Sequence, residues 1–408
     1  MKKTALILAL ALLISLAGCG GTSGAENLAV GSGPSGGELS SEAADAVTDF
    51  SLRLLSAAGT EGENTLLSPL SVLFALGMTA NGAEGETLSQ MEEAFELDIA
   101  SLNEALAAVA GSMSSQALTA NSIWINDTEE FTASEDFLEL CGEHYDAGVF
   151  AEPFDSSTAE AINAFVSEHT NGLIEKIIDE IPENAVMYLV NAMSFDADWE
   201  NIYREDQVRE GTFTTAEGEE QAAEFMHSEE WAYLEGDGFT GFMKPYEGGD
   251  YAFAALLPEE GSSPAELISS LNGAELRALL ASPQDVNVDT ALPKFESGSS
   301  LELSETLEAM GMTYAFDPEF SDFSALGQSA MGNIYINRVL HETFISVDEK
   351  GTEAGAATAV EMVAESAPTE TRAVRLDRPF AYMIVDTATG VPLFMGFTQS
   401  VAAMRPVA

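Results

Sequence analysis

Apolar residues keep a helical period through the first part of this chain and a strand period through much of the rest. Val47, Phe50, Leu54 and Leu55 predict a helix over residues 42–58. Ser68-Pro69 opens a second, since Ser suits the N-cap and Pro the first helical position. Leu70, Leu73, Phe74 and Gly77 continue its inner face, and Asn81-Gly82 ends it. Leu88, Met91 and Phe95 predict another helix, and residues 161–178 a further helical region interrupted at Asn171-Gly172. Strand runs follow at residues 186–195, 251–257, 286–292, 334–347, 380–385 and 391–397. Helices first and strands later predict an α+β fold with large mixed β-sheets rather than alternating βαβ units. After residue 42 no Gly/Ser or Pro tract breaks the chain, so residues 42–408 read as one domain.

One stretch alternates without committing to a strand. From Thr352, every second residue is Thr352, Ala354, Ala356, Thr358, Val360, Met362 and Ala364, all small or apolar. The intervening set, Glu353, Gly355, Ala357, Ala359, Glu361, Val363 and Glu365, holds every charge. Side chains alternate across a sheet, so this segment is able to enter one with a buried face and a wet face. Pro, which central strands do not tolerate, first occurs at Pro368. Its Ala and Gly content still makes it a poor strand by propensity. A segment fit for a sheet but weakly committed to one suits a conformational switch, with Gly351 supplying backbone freedom at the pivot.

Charge narrows the partners. The chain carries 68 acidic and 15 basic residues, a formal net charge of −53. Nucleic-acid binding through phosphate contacts needs the opposite balance, and heparin-like polyanions are disfavoured for the same reason. At the N-terminus, Lys2 and Lys3 precede an apolar run, residues 5–16, too short for a comfortable membrane span. The run ends in Leu16-Ala17-Gly18-Cys19, and small residues before a Cys resemble the bacterial lipobox. That resemblance implies a signal peptide over residues 1–18, cut before Cys19, with Cys19 carrying the lipid. Residues 19–41 then form a Gly/Ser-rich tether, whose 18 residues from Gly20 to Gly37 reach roughly 25 Å on average. The expected location is outside the cytoplasm, lipid-anchored at a bacterial cell surface or envelope. Cys141 then has no disulfide partner.

Enzymatic constellations are poorly supported. Gly33-Pro-Ser35-Gly-Gly37 matches the G-x-S-x-G nucleophile pattern but lies in the tether, without the strand and helix that motif needs. His144, His169, His227 and His341 form no H-E-x-x-H and no Cys/His metal spacing. The acidic residues show no calcium-loop spacing. No enzyme, metal or cofactor is expected.

Asp348-Glu349-Lys350-Gly351-Thr352-Glu353-Ala354 followed by small residues resembles the hinge of the serpins, the protease-inhibitor superfamily. Residues 64–87, from Asn64-Thr-Leu-Leu-Ser68-Pro69, are similar to its second-helix signature, and Val190-Asn191 through Trp199 to its central strand. Leu257-Pro258 and Leu292-Pro293-Lys294-Phe295 match shorter landmarks, and Arg378-Pro379-Phe380 and residues 392–396 resemble its C-terminal strands. The resemblance implies a serpin-like fold with an exposed reactive loop. A protease cuts that loop, and the freed limb inserts into the central sheet while the protease stays attached as an acyl complex. It also implies a hinge of Gly351, Thr352, Glu353, Ala354, Gly355, Ala356, Ala357 and Thr358. Ser68, Ser71, Asn191 and His341 match a polar cluster beneath the sheet, the shutter. Trp199 matches a tryptophan at the breach, where the loop enters. The family's usual spacing, counted from Glu349, puts the reactive bond between Glu365 and Ser366. Val363, Ala364 and Ala367 would suit a shifted register.

The expected partner is a serine protease, or a cysteine protease, of elastase-like, subtilisin-like or glutamate-specific preference, met by a monomer. Two rival readings stand beside it. A lipid-anchored solute-binding lipoprotein shares the tether but has no need of the alternating segment. A non-inhibitory serpin would commonly carry bulky or charged inward hinge residues.

Overall fold

The computed structural model describes residues 27–29, 34, 36–60, 62–126, 131–145, 147–181, 185, 187–329, 333–352 and 371–401. Residues 1–18, expected above to be a signal peptide, Cys19, residues 353–370 and with them Glu353 to Thr358, Glu365 and Ser366 lie outside the described residues. The first half runs α1 (Ser41–Ala58), β1 (Thr65–Leu67), α2 (Pro69–Ala80), α3 (Gly85–Phe95), α4 (Ile99–Ser112), β2 (Ala117–Asn126) and β3 (Phe131–Ala133). It continues with α5 (Glu135–His144), β4 (Gly148–Glu152), α6 (Ser156–His169), β5 (Met187–Phe195) and β6 (Ala197–Asp198). Then come β7 (Val208–Thr214), β8 (Glu220–Gly236), β9 (Phe239–Pro245), β10 (Tyr251–Pro258), α7 (Pro264–Ser269) and α8 (Gly273–Ala281). β11 (Gln284–Pro293), β12 (Phe295–Glu302), α9 (Ser304–Ala309), α10 (Thr313–Phe316) and β13 (Gly327–Ser329) follow. The chain closes with β14 (Leu340–Val347), β15 (Gly351–Thr352), β16 (Thr371–Arg375), β17 (Phe380–Asp386) and β18 (Pro392–Thr398).

A nine-stranded sheet has the order β1-β18-β17-β10-β9-β8-β11-β16, with β7 added beside β8. Every residue of β10 and β18 is buried, which is why these strands read as continuous apolar runs. A second region is split in two: β12-β14-β15-β6 is one sheet and β4-β2-β5 another. α2 packs against β5 and β18, between the large sheet and the split one, and all twelve of its residues are buried. A helix apolar on all sides is made for such a place.

Two expectations need correction. The helix expected over residues 161–178 is α6, which spans residues 156–169 and stops there. Asn171 (φ 52°) and Gly172 (φ 80°) turn the chain in the left-handed region. Beyond them the Asn163 side chain accepts from the Ile177 and Ile178 amides and donates to the Ile178 carbonyl, so that backbone is satisfied without a helix. The strand expected from residue 334 starts only at Leu340. Its length is set by β12, whose residues 295–302 pair one for one with residues 347–340.

Candidate functional site: a gap between two strand edges and its ends

β5 and β14 approach within 8 Å between Cα atoms, yet no ladder joins them among the described residues. β5 is paired with β2 on its other side and β14 with β12. Two strand edges face each other across a gap.

The upper end of the gap is already filled. After β14 the chain reverses over residues 348–351, where the Asp348 amide donates to the Gly351 carbonyl at 3.0 Å. Asp348 Oδ1 accepts from the Lys350 amide at 2.7 Å and the Gly351 amide at 3.2 Å, the local turn chemistry of an aspartate. β15 then enters between β14 and β6: Thr352 pairs with Val347 and Ala197, and Gly351 pairs with Asp198. Thr352 is fully buried, and its hydroxyl lies 2.6 Å from the Tyr246 hydroxyl. Gly351 is needed here for a reason other than the pivot freedom expected from sequence. Its φ is not in the left-handed region, but a Cβ at this position would stand 2.0 Å from the Ala197 carbonyl oxygen.

Trp199 holds the turn from beneath. Its indole donates to the Asp348 carbonyl at 2.9 Å and its amide to the Lys350 carbonyl at 2.7 Å. The Tyr203 amide donates to the Glu349 carbonyl at 2.8 Å. The Trp199 ring stacks on Tyr246 with centroids 4.5 Å apart. On the outside, Lys294 Nζ sits 2.8 Å from Glu349 and 3.4 Å from Glu224. Partial burial works against the Lys294 charge, but these two carboxylates outweigh it and raise its pKa, and the Lys294 contact lowers that of Glu349.

The lower end is built around Ser68. As the N-cap of α2 its hydroxyl accepts from the Ser71 amide at 3.3 Å, and it donates to the Leu393 carbonyl of β18 at 2.9 Å. Its amide donates to His341 Nε2 at 2.9 Å. His341, on β14, is buried, and burial pulls its pKa down to about 4, so the ring is a neutral acceptor. Ser68, Ser71 and His341 are thus brought together. Asn191 is not in that hydrogen-bonded set: its amide donates to Asn121 Oδ1 on the neighbouring strand β2. The reason is register, since Asn121 and Asn191 are cross-strand partners. Asn191 Oδ1, Ser71 Oγ and Ser194 Oγ are buried without a hydrogen-bond partner among the described residues.

Sequence reasoning missed Tyr203, Glu230, Lys244, Tyr246 and Lys294 as parts of this site. Lys294 lay inside the quoted Leu292-Pro293-Lys294-Phe295 landmark, and Lys244-Pro245 closes β9 just before Tyr246, but nothing local in the sequence marks a buried lysine. Among the described residues no group of three or more His, Cys, Asp or Glu side chains is placed to hold a metal.

The family model described as Serpin (serine protease inhibitor) matches residues 45–400. An uncharacterized serpin-like protein of Thermococcus kodakarensis is 31% identical over 366 residues, covering 86% of this chain and 84% of its own. Human antithrombin-III is 29% identical over 357 residues, covering 82% of this chain and 76% of its own. Among solved structures, the thermophilic serpin tengpin in its native state matches with TM-score 0.86 at 42% identity, covering 92% of this chain and 99% of that one. Tengpin in its latent state matches with TM-score 0.80, covering 90% and 100%.

Proposed function

The chain belongs to the serpin family of protease inhibitors, and from that premise we propose that it inhibits by trapping its target as a covalent acyl complex. The protease nucleophile attacks the carbonyl carbon of Glu365, and Ser366 leaves with the new amine. The acyl bond to Glu365 persists because the freed limb enters the gap between β5 and β14. The observation that carries this reading is that gap, with Thr352 already seated as its first rung. The inward residues that would follow Thr352, namely Ala354, Ala356 and Thr358, are small. About fifteen inserted residues at ~1 kcal/mol per net hydrogen bond supply on the order of 10–15 kcal/mol. That matches the whole stability of an ordinary domain, so the uncut form is held kinetically. The buried, unpartnered Asn191 Oδ1, Ser71 Oγ and Ser194 Oγ beside the gap favour the same reading, since each is a polar group better satisfied in another arrangement.

In this reading Ser68, Ser71, Asn191 and His341 are the exchangeable polar floor of the gap and Trp199 its upper stop. The target is a serine or cysteine protease of elastase-like, subtilisin-like or glutamate-specific preference. The inhibitor acts as a monomer, carried on a lipid at Cys19 and a tether over residues 19–41 at a bacterial envelope, with residues 1–18 removed as the signal peptide. The test mixes the full secreted chain with one protease of each preference. A complex that survives denaturing electrophoresis, and a rise in melting temperature after loop cleavage, are expected. Cleavage within residues 353–370 by all three, with no complex and no rise, overturns the proposal.

A further inference from the structure

A lysine is buried under the hinge turn. Lys244, on β9, is 2% exposed, and its Nζ lies 2.8 Å from Glu230 Oε1 on β8. The same ammonium stands 4.5 Å from the Tyr203 ring centroid and 5.5 Å from that of Trp199. A desolvated cation facing two aromatic faces is attracted to both. These are the two residues whose amides hold the Lys350 and Glu349 carbonyls. The rings belong to the segment after β6, at the top of the split sheet, whereas Lys244 and Glu230 belong to the nine-stranded sheet.

The polar chain continues beyond Glu230. Ser228 donates to Glu230 Oε1 at 2.6 Å, and Ser228 Oγ lies 2.9 Å from the Thr290 hydroxyl and 3.3 Å from that of Tyr203. Ser228 has one hydroxyl proton, and the carboxylate is its strongest acceptor, while the Thr290 hydroxyl has its own acceptor in the Ser228 carbonyl at 3.0 Å. Thr290, on β11, pairs with Val374 of β16, the first described strand after residue 370. A partly buried run of polar side chains therefore reaches from Thr290, whose strand pairs with β16, to Tyr203 beneath the hinge turn.

A buried ion pair is a weak way to stabilise a fold, because desolvation consumes most of its attraction. Apolar side chains of similar size would serve stability as well. What the pair adds is geometry: the ammonium meets Glu230 and both rings only in one arrangement. We propose that Lys244 and Glu230 are positioning residues for the hinge, fixing the Trp199 and Tyr203 segment so that Thr352 is arrested in its place between β14 and β6. The use made of that arrest rests on the insertion reading above, but the arrest itself belongs to the uncut protein.

The test is hydrogen exchange on the full uncut chain. Lys244→Met alone strands the Glu230 carboxylate and is expected to unfold readily. The informative variant is Glu230→Gln with Lys244→Met, which keeps the shapes and removes both charges. Exchange at the Trp199 and Tyr203 amides is expected to quicken at least tenfold in that variant. β10 and β17 are expected to keep wild-type protection, and the melting temperature to stay level or rise. Unchanged exchange at Trp199 and Tyr203 overturns the proposal. So does a quickening shared equally by β10 and β17, which would make the pair plain structural support. Complex formation by the wild type, measured on the same sample, tests the trap separately: its failure removes the trap reading and leaves the exchange result to decide this one.

Discussion

Gly351→Ala is the sharpest perturbation available at the hinge, because the structure gives a steric reason and no conformational one. The added methyl would sit 2.0 Å from the Ala197 carbonyl oxygen and 2.7 Å from the Asp198 Cα. Both are backbone atoms of β6, so neither can swing aside, and carbon and oxygen need more than about 3 Å. The variant is therefore expected to expel β15. Expulsion loses the Thr352 pairing with Val347 and Ala197, the Tyr246–Thr352 bond and the Trp199 amide bond to Lys350. Three to four hydrogen bonds at ~1 kcal/mol each give about 3–4 kcal/mol. In a domain of this size that corresponds to a drop of roughly 3–6 °C in melting temperature. The inserted form needs the same rung, so the variant is also expected to be cut as a substrate without trapping the protease. Scanning calorimetry and a titration of inhibitor against protease read the two effects. A melting temperature within 1 °C of wild type, together with undiminished trapping, would refute the packing argument.

Ala354→Arg introduces a charge at the next inward position. It is expected to leave the melting of the uncut protein unchanged and to abolish the thermal gain after cleavage, as a buried unpaired charge opposes insertion. Glu365→Ala is expected to move target preference away from glutamate-specific proteases without changing stability, and mass spectrometry of the cut products locates the bond. Lys294→Met removes a partly exposed contact to Glu349, so a loss no larger than about 1 kcal/mol is expected by denaturant titration. His341 should make the fold acid-sensitive. Its folded pKa of about 4 lies below the ordinary 6.5, so the unfolded chain binds more protons between those values. Stability is then full above about pH 6.5 and falls as pH drops toward 4, by about 3 kcal/mol in all. In His341→Gln the difference in melting temperature between pH 7 and pH 4.5 should shrink by the corresponding amount.

What could be read from the sequence was what burial writes in one dimension. β10, β17 and β18 are buried on both faces and appear as apolar runs, and α2 announces itself by Ser68-Pro69 and a stretch apolar but for Ser71 and Thr79. β7 and β8 escaped because their burial is partial and their exposed positions carry Glu210, Glu220 and Glu224, so no apolar run forms. The family landmarks led to Ser68, His341, Trp199 and Gly351. The Glu230–Lys244 pair stayed hidden because it is made by the β8–β9 hairpin, which brings together two charges 14 residues apart that look like surface residues. Gly351 was noticed for backbone freedom alone, since its contact with Ala197 is a fact of tertiary structure and not of local sequence.

The three strands described after residue 370 are not a tail. β16 lies beside β11, β17 between β10 and β18, and β18 between β17 and β1, all within the nine-stranded sheet. A nick anywhere in residues 353–370 would divide the polypeptide and leave the particle whole, its shorter piece woven into the other as firmly as before. Such an encounter, once hydrolysis is complete, would add only one water to the native body, and its record would lie in shape and in resistance to heat.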